Sequence, residues 1–141
     1  MDIENLLEKT QATNVTGVYS EKKHILIVDD SALVLRNVKA MLEDTYSVAV
    51  AASGAQAFMA IGKKRPDLIL LDYEMPVMNG ETVMMTLKED EELKDIPVLF
   101  LTSNDTKEVV VKLLALKPEG YILKPAKQTT LLDTIEKILR G

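Results

Sequence analysis

Five side chains suited to phosphate and metal chemistry stand where apolar runs end in this sequence. Asp29 and Asp30 follow Ile25-Leu26-Ile27-Val28, and Asp72 follows Leu68-Ile69-Leu70-Leu71. Thr102 follows Val98-Leu99-Phe100-Leu101, and Lys124, itself before Pro125, follows Tyr121-Ile122-Leu123. A single Asp after a strand is ordinarily a turn former. Here the other run ends carry complementary chemistry. Three acids meeting across two strand ends repel one another, and one takes up a proton unless a cation neutralises the group. A hard divalent ion meets that need: Mg²⁺ takes one or two carboxylates, a carbonyl and several waters, and keeps a position for a phosphate oxygen. Zinc is a poor match, because His24 is the only histidine and there is no cysteine.

Lys124 and Thr102 add a point charge and a hydroxyl donor, both phosphate ligands. In such a site Asp72 is the natural nucleophile. A carboxylate with an ordinary pKa of about 3.9 is ionised at neutral pH, needs no general base, and forms an aspartyl phosphate as its covalent intermediate. A Ser/His/Asp triad would have to recruit His24, which begins its strand instead of ending it. Neither GxxxxGK[ST] nor GxGxxG occurs, so the usual nucleotide-binding loops are absent.

The elements that must position these groups follow from periodicity. Apolar strand candidates occur at 25–28, 48–51, 68–71, 98–101 and 121–123. Four consecutive apolar residues suit a strand buried on both faces. The spacing of about 20 to 30 residues is too long for hairpins and right for crossover helices. The sequence therefore predicts an α/β fold: a doubly wound, five-stranded parallel sheet with helices on both faces and its ligands at the carboxyl edge.

The helices have readable ends. Ser31 caps a first helix that buries Val34, Leu35, Val38, Met41 and Leu42 and leaves Leu33, Arg36, Asn37 and Ala40 towards solvent. Ser53 caps a second, with Ala57, Phe58 and Ile61 inward and Pro66 forcing its end. A third runs from about Gly80 to Asp90 on Val83, Met84 and Leu87. The fourth, from about Thr106 to Leu116, contains Val109, Val110 and Val111, and a turn of about 100° per residue leaves at least one exposed. The fifth, from Gln128 to Arg140, buries Leu131, Leu132, Ile135, Ile138 and Leu139.

The chain has 141 residues, 47% of them hydrophobic and 28% charged, which suits one globular domain. No apolar run approaches the roughly 18 residues of a membrane span, and the acidic start resembles no secretory signal, so the expected location is the cytoplasm. A net charge of −5 argues against direct nucleic-acid binding. The basic run Lys63-Lys64-Arg65 fits a solvated helix end. Residues 1–23 fit the domain poorly. Ile3, Leu6 and Leu7 have helical spacing behind a possible Asp2 cap, and Thr10 to Ser20 is polar; we expect a short helix or flexible extension before a domain at 24–141.

Taken together, Asp29-Asp30, Asp72 with Met75-Pro76 and Asn79-Gly80, Leu101-Thr102-Ser103, and Gly120-Tyr121-Ile122-Leu123-Lys124-Pro125 resemble the receiver domain of two-component response regulators, across about residues 24–140. The resemblance implies the flavodoxin-like strand order 2-1-3-4-5. It implies Asp72 as phosphoacceptor, Asp30 as a direct Mg²⁺ ligand, Asp29 as one acting through water, and Glu74 as one using its backbone carbonyl. It makes Lys124 the phosphate-pairing lysine with a cis bond to Pro125, and Thr102 and Tyr121 the switch pair. Glu74 and Asn104, two residues beyond the acceptor and the switch threonine, take positions that tune dephosphorylation, and Leu33, Arg36, Asn37 and Ala40 take the position where phosphodonors dock. Ala126 departs from the pattern, since many relatives carry a bulkier apolar residue there. The chain is then expected to be a stand-alone regulator and a phosphoprotein, not an enzyme, taking its phosphoryl group from a histidine kinase or histidine phosphotransfer protein. Its output is expected to be a protein contact at the fourth helix, fifth strand and fifth helix, made as a monomer or a phosphorylation-dependent dimer. The competing expectation is a small-molecule phosphohydrolase of the aspartyl-phosphate kind; such enzymes of the dehalogenase-like class want an Asp two residues after the nucleophile, where this chain has Glu74.

Overall fold

The computed structural model describes residues 22–141. The elements are β1 (His24–Val28), α1 (Ala32–Leu42), β2 (Ser47–Ala51), α2 (Gly54–Lys63), β3 (Leu68–Asp72), α3 (Gly80–Lys88), β4 (Val98–Thr102), α4 (Lys107–Ala115), β5 (Gly120–Leu123) and α5 (Gln128–Arg140). All neighbouring strands are parallel, in the order β2-β1-β3-β4-β5. Fold class, strand number and order all match the expectation. The proposed helix at the start of the chain lies outside the described residues.

The apolar runs explain the layering. In β1, β3 and β4 every residue is buried, because both faces of these inner strands are covered. Alternation then divides them: Leu26, Val28, Ile69, Leu71, Val98 and Phe100 face α2, α3 and α4, whereas Ile25, Ile27, Leu68, Leu70, Leu99 and Leu101 face α1 and α5. β2 sits at the sheet edge and is only partly covered, with Val50 exposed. Its apolar run reads like the others, so the sequence pattern does not reveal its edge position.

The helix caps are local. Ser31, Ser53, Asn79 and Thr106 each accept the amide of the residue three positions on, at 3.2, 3.1, 2.9 and 3.4 Å. Thr106, expected as the first residue of its helix, is its cap. In α1, Leu35, Val38 and Leu42 are buried, Val34 and Met41 half-buried, and Leu33, Arg36, Asn37 and Ala40 exposed. In α4 the valine that stays outside is Val111. Lys63, Lys64 and Arg65 are exposed at the end of α2, ahead of a buried Pro66. Among the described residues no helix is long and apolar enough to cross a membrane.

Residues beyond the expected elements join the core: Tyr46 and Ile96 just before β2 and β4, and two in the loop that follows β3. Tyr73 and Met75, in the β3–α3 loop, are 8% and 7% exposed, and the Tyr73 ring meets Phe100 edge-on with centroids 5.6 Å apart. This anchoring holds the segment that follows Asp72.

Candidate functional site

Parallel register carries the five chemical groups to one edge. Val28 pairs with Leu71, Asp72 with Leu101, and Thr102 with Leu123, so the residues at or just past the strand ends are neighbours. Asp29 is fully buried, Asp72 is 3% exposed and Thr102 is fully buried, while Asp30 is exposed. One carboxylate oxygen from each of Asp29, Asp30 and Asp72 lies within 4.8 Å of the others.

Lys124 neutralises part of this cluster. Its Nζ donates to Asp29 Oδ2 at 2.7 Å and lies 3.3 Å from Asp72 Oδ1. The other Asp29 oxygen accepts the amide of Ser31 at 2.9 Å, so both oxygens of this acid are engaged. Asp72 Oδ1 accepts a longer bond, 3.3 Å, from the amide of Glu74. Burial, followed by the field of Asp29, raises the Asp72 pKa from 3.8 to about 6, against the opposing pull of Lys124 and the Glu74 amide. Burial pulls the Lys124 ammonium downward, but its hydrogen bond to Asp29 and the charges of Asp72 and Asp29 outweigh that and raise it. Asp72 is therefore still mainly a carboxylate at neutral pH, with a margin of about one pH unit instead of three. Three converging carboxylates and no nitrogen or sulfur donors suit a hard, oxygen-seeking ion, and Mg²⁺ fits this set.

The loop behind Asp72 is held by backbone contacts. The amide of Tyr73 donates to Leu101 O at 3.1 Å, and the amide of Gly80 donates to Tyr73 O at 2.9 Å. A Cβ on Gly80 would lie 2.5 Å from the Asp72 carbonyl oxygen and 2.7 Å from the Tyr73 Cα. Only glycine permits this approach. Between them Val77 takes φ 66°, spanned by a 2.7 Å bond from the Met78 amide to Pro76 O, and the Met78 side chain packs over Gly54 at the start of α2.

The Thr102 hydroxyl, expected as a donor to phosphate, is already engaged within its own loop. It donates to Asn104 O at 3.2 Å and accepts the Asn104 amide at 3.0 Å, because the turn after β4 folds back onto it. Tyr121, the register partner of Phe100, shares its sheet face with Thr102 and is 38% exposed. The Asn104 side chain donates to Glu74 Oε2 at 3.3 Å, joining two residues that the sequence singles out separately. The Lys124–Pro125 bond is cis. Leu33, Asn37, Met41, Pro125 and Ala126 line a groove of about 360 Å³ between α1 and the β5–α5 loop, which the small Ala126 leaves open. Arg36 and Ala40 are exposed beside it without lining it.

His24 lies at the opposite edge of the sheet. Its Nδ1 meets Ser47 Oγ at 2.9 Å, and Asp67 accepts its backbone amide, not its ring, so these three residues form no triad. Sequence reasoning missed three features of the site: the Lys124–Asp29 ion pair, the Glu74–Asn104 bond and the close approach at Gly80. Only the last left a signal, a poor helix former placed directly after the Asn79 cap.

Comparison with known proteins agrees with this architecture. The family model of the response regulator receiver domain matches residues 25–136. The chain is 32% identical over 124 residues to the chemotaxis protein CheY-3 of Vibrio cholerae, covering 86% of this chain and 95% of that one. It is 35% identical over 118 residues to the protein PilH of Pseudomonas aeruginosa, covering 83% and 98%. The solved structure of Vibrio cholerae chemotaxis protein CheY4 superimposes with a TM-score of 0.77 at 32% identity, covering 83% and 98%. These relatives are similar in length to this chain, and none of them favours the phosphohydrolase alternative.

Proposed function

Because the chain belongs to the response regulator receiver family, we propose that it is a phosphorylation-switched binding module in which Asp72 accepts the phosphoryl group. The observation that carries the reading is the position of Lys124, within 2.7 Å of Asp29 and 3.3 Å of Asp72 at one sheet edge. That arrangement supplies a buried nucleophile, flanking acids for a divalent ion and a cation able to follow new negative charge.

An Asp72 carboxylate oxygen forms the P–O bond while the P–N bond of a phosphohistidine breaks, and the donor imidazole leaves with the electron pair. Asp29, Asp30, Asp72 and the Glu74 carbonyl are the groups that would hold Mg²⁺, which when bound would neutralise charge on the transferring phosphoryl oxygens. Lys124 exchanges Asp29 for the phosphoryl group. Leu33, Arg36, Asn37 and Ala40 on α1 meet the donor, a histidine kinase or phosphotransfer protein.

The switch follows from competition for one proton. A phosphoryl oxygen is a stronger acceptor than the Asn104 carbonyl, so the Thr102 hydroxyl turns towards it. The space vacated admits the Tyr121 ring. The readout is the α4–β5–α5 face, where Val111, Tyr121 and Leu123 are 59%, 38% and 42% exposed. Partner binding there favours phosphorylation as much as phosphorylation favours binding. Addition of beryllofluoride with Mg²⁺, followed by NMR, tests the switch. Wild type is expected to show shifts at Tyr121 and along α4, which Thr102→Ala confines to the acidic site; equal transmission in both proteins contradicts the reading.

A further inference from the structure

We propose that Asn104 is a coupling residue: its hydrogen bonds tie the loop carrying Glu74, the switch hydroxyl of Thr102 and the first turn of α4 into one latch over Asp72. The inference deepens the reading above and rests on its assignment of Asp72 and Thr102.

Four bonds meet at this residue. The Asn104 carbonyl and amide both engage the Thr102 hydroxyl, at 3.2 and 3.0 Å. Its side-chain Nδ2 donates to Glu74 Oε2 at 3.3 Å, and its Oδ1 accepts the amide of Thr106 at 3.0 Å. Thr106 is the α4 cap, with its own hydroxyl accepting the Val109 amide. The side chain has no freedom to flip: the Glu74 carboxylate only accepts, and the Thr106 amide only donates. Glu74 and Asn104 each lie two residues past the ends of adjoining strands, so their bond bridges the two loops that border Asp72.

This geometry makes three events dependent on one another. The Thr102 hydroxyl has a single proton, so pairing with a phosphoryl oxygen means leaving the Asn104 carbonyl. A displaced Asn104 backbone carries its side chain away from Glu74 and from the Thr106 amide. The bridge across the loops then opens as the α4 cap loosens. Access of water to the acyl phosphate and the position of α4 are then set together.

The test needs no phosphoryl group. Amide hydrogen exchange is measured by NMR on the unmodified 141-residue protein as wild type, Glu74→Ala and Glu74→Gln; Glu74 is an exposed loop residue, so both variants are expected to fold. Glu74 is joined to Thr106 only through hydrogen bonds to Asn104, so a purely local role leaves α4 unaffected. Glu74→Ala is expected to speed exchange at Asn104, Thr106 and Val109 by about two- to fivefold, the scale of one solvent-exposed hydrogen bond. Glu74→Gln, which keeps an acceptor oxygen, is expected to restore wild-type exchange. Asn104→Asp, which loses the donor and faces Glu74 with like charge, is expected to behave as Glu74→Ala. Unchanged exchange at Thr106 and Val109 in Glu74→Ala overturns the proposal. Acetyl phosphate labelling of the same proteins separates the two levels, because failure of wild type to take up phosphoryl contradicts the role of Asp72 without altering the exchange result.

Discussion

Lys124 rests on Asp29: its ammonium is 2.7 Å from that carboxylate, although the two residues are 95 positions apart in sequence. The bond places a cation on one of the three acids that would hold a divalent ion, so the two would compete for the same carboxylate. Lys124→Met removes the competitor and leaves the acidic cluster with more uncompensated charge. Isothermal titration at pH 8 is expected to show Mg²⁺ affinity raised by at least about threefold, the scale of one lost like-charge interaction at a partly buried site. Unchanged or weaker binding means that Lys124 does not oppose the ion.

Asp72→Asn is expected to stabilise the unliganded protein above pH 6. The folded-state pKa of Asp72 is raised from 3.8 to about 6. Between those values the folded state binds more protons than the unfolded one, so this group's contribution to stability falls as pH rises through the window. Two units correspond to at most about 3 kcal/mol in favour of the uncharged amide at pH 7 to 8. The advantage is expected to vanish near pH 4 and to shrink in saturating Mg²⁺, which stabilises the wild type by binding its folded state. Urea unfolding at several pH values, with and without chelator, measures it.

Gly80→Ala is expected to cost about 1–3 kcal/mol, in the range of overpacked sites. The added methyl meets backbone, the Asp72 carbonyl oxygen at 2.5 Å, and not a flexible side chain. Relief of that contact has to move the end of β3 that carries Asp72, so phosphoryl uptake from acetyl phosphate is expected to slow in the same variant. A stability equal to wild type means that the strand end yields without cost.

Much of this was legible in the sequence because the relevant forces are local. Apolar runs closing on Asp29, Asp72 and Thr102 mark strands buried on both faces, and Ser31 and Ser53 mark helix starts; the run closing on Lys124 marks a strand as well, but one at the sheet edge with Tyr121 and Leu123 exposed. The edge position of β2 was not legible, since Val50 continues an apolar alternation that nothing beyond the sheet covers. Strand order came from family resemblance. The pairings Lys124–Asp29 and Glu74–Asn104 join residues from different loops, and which partner each long side chain takes depends on loop geometry that no spacing encodes. The engagement of the Thr102 hydroxyl was not legible for the same reason: its partner is a backbone carbonyl, which every residue carries.

The central claim is that Asp72 itself carries the phosphoryl group. Borohydride reduction converts an aspartyl phosphate to homoserine, so wild-type protein treated with acetyl phosphate and Mg²⁺, reduced and digested, reports the acceptor by peptide mass spectrometry. The account predicts homoserine at position 72 in wild type, no homoserine anywhere in Asp72→Asn, and loss of the signal when the metal is chelated. Homoserine at position 30, or a stable phosphoester on Thr102 or Ser103 with residue 72 unmodified, contradicts it.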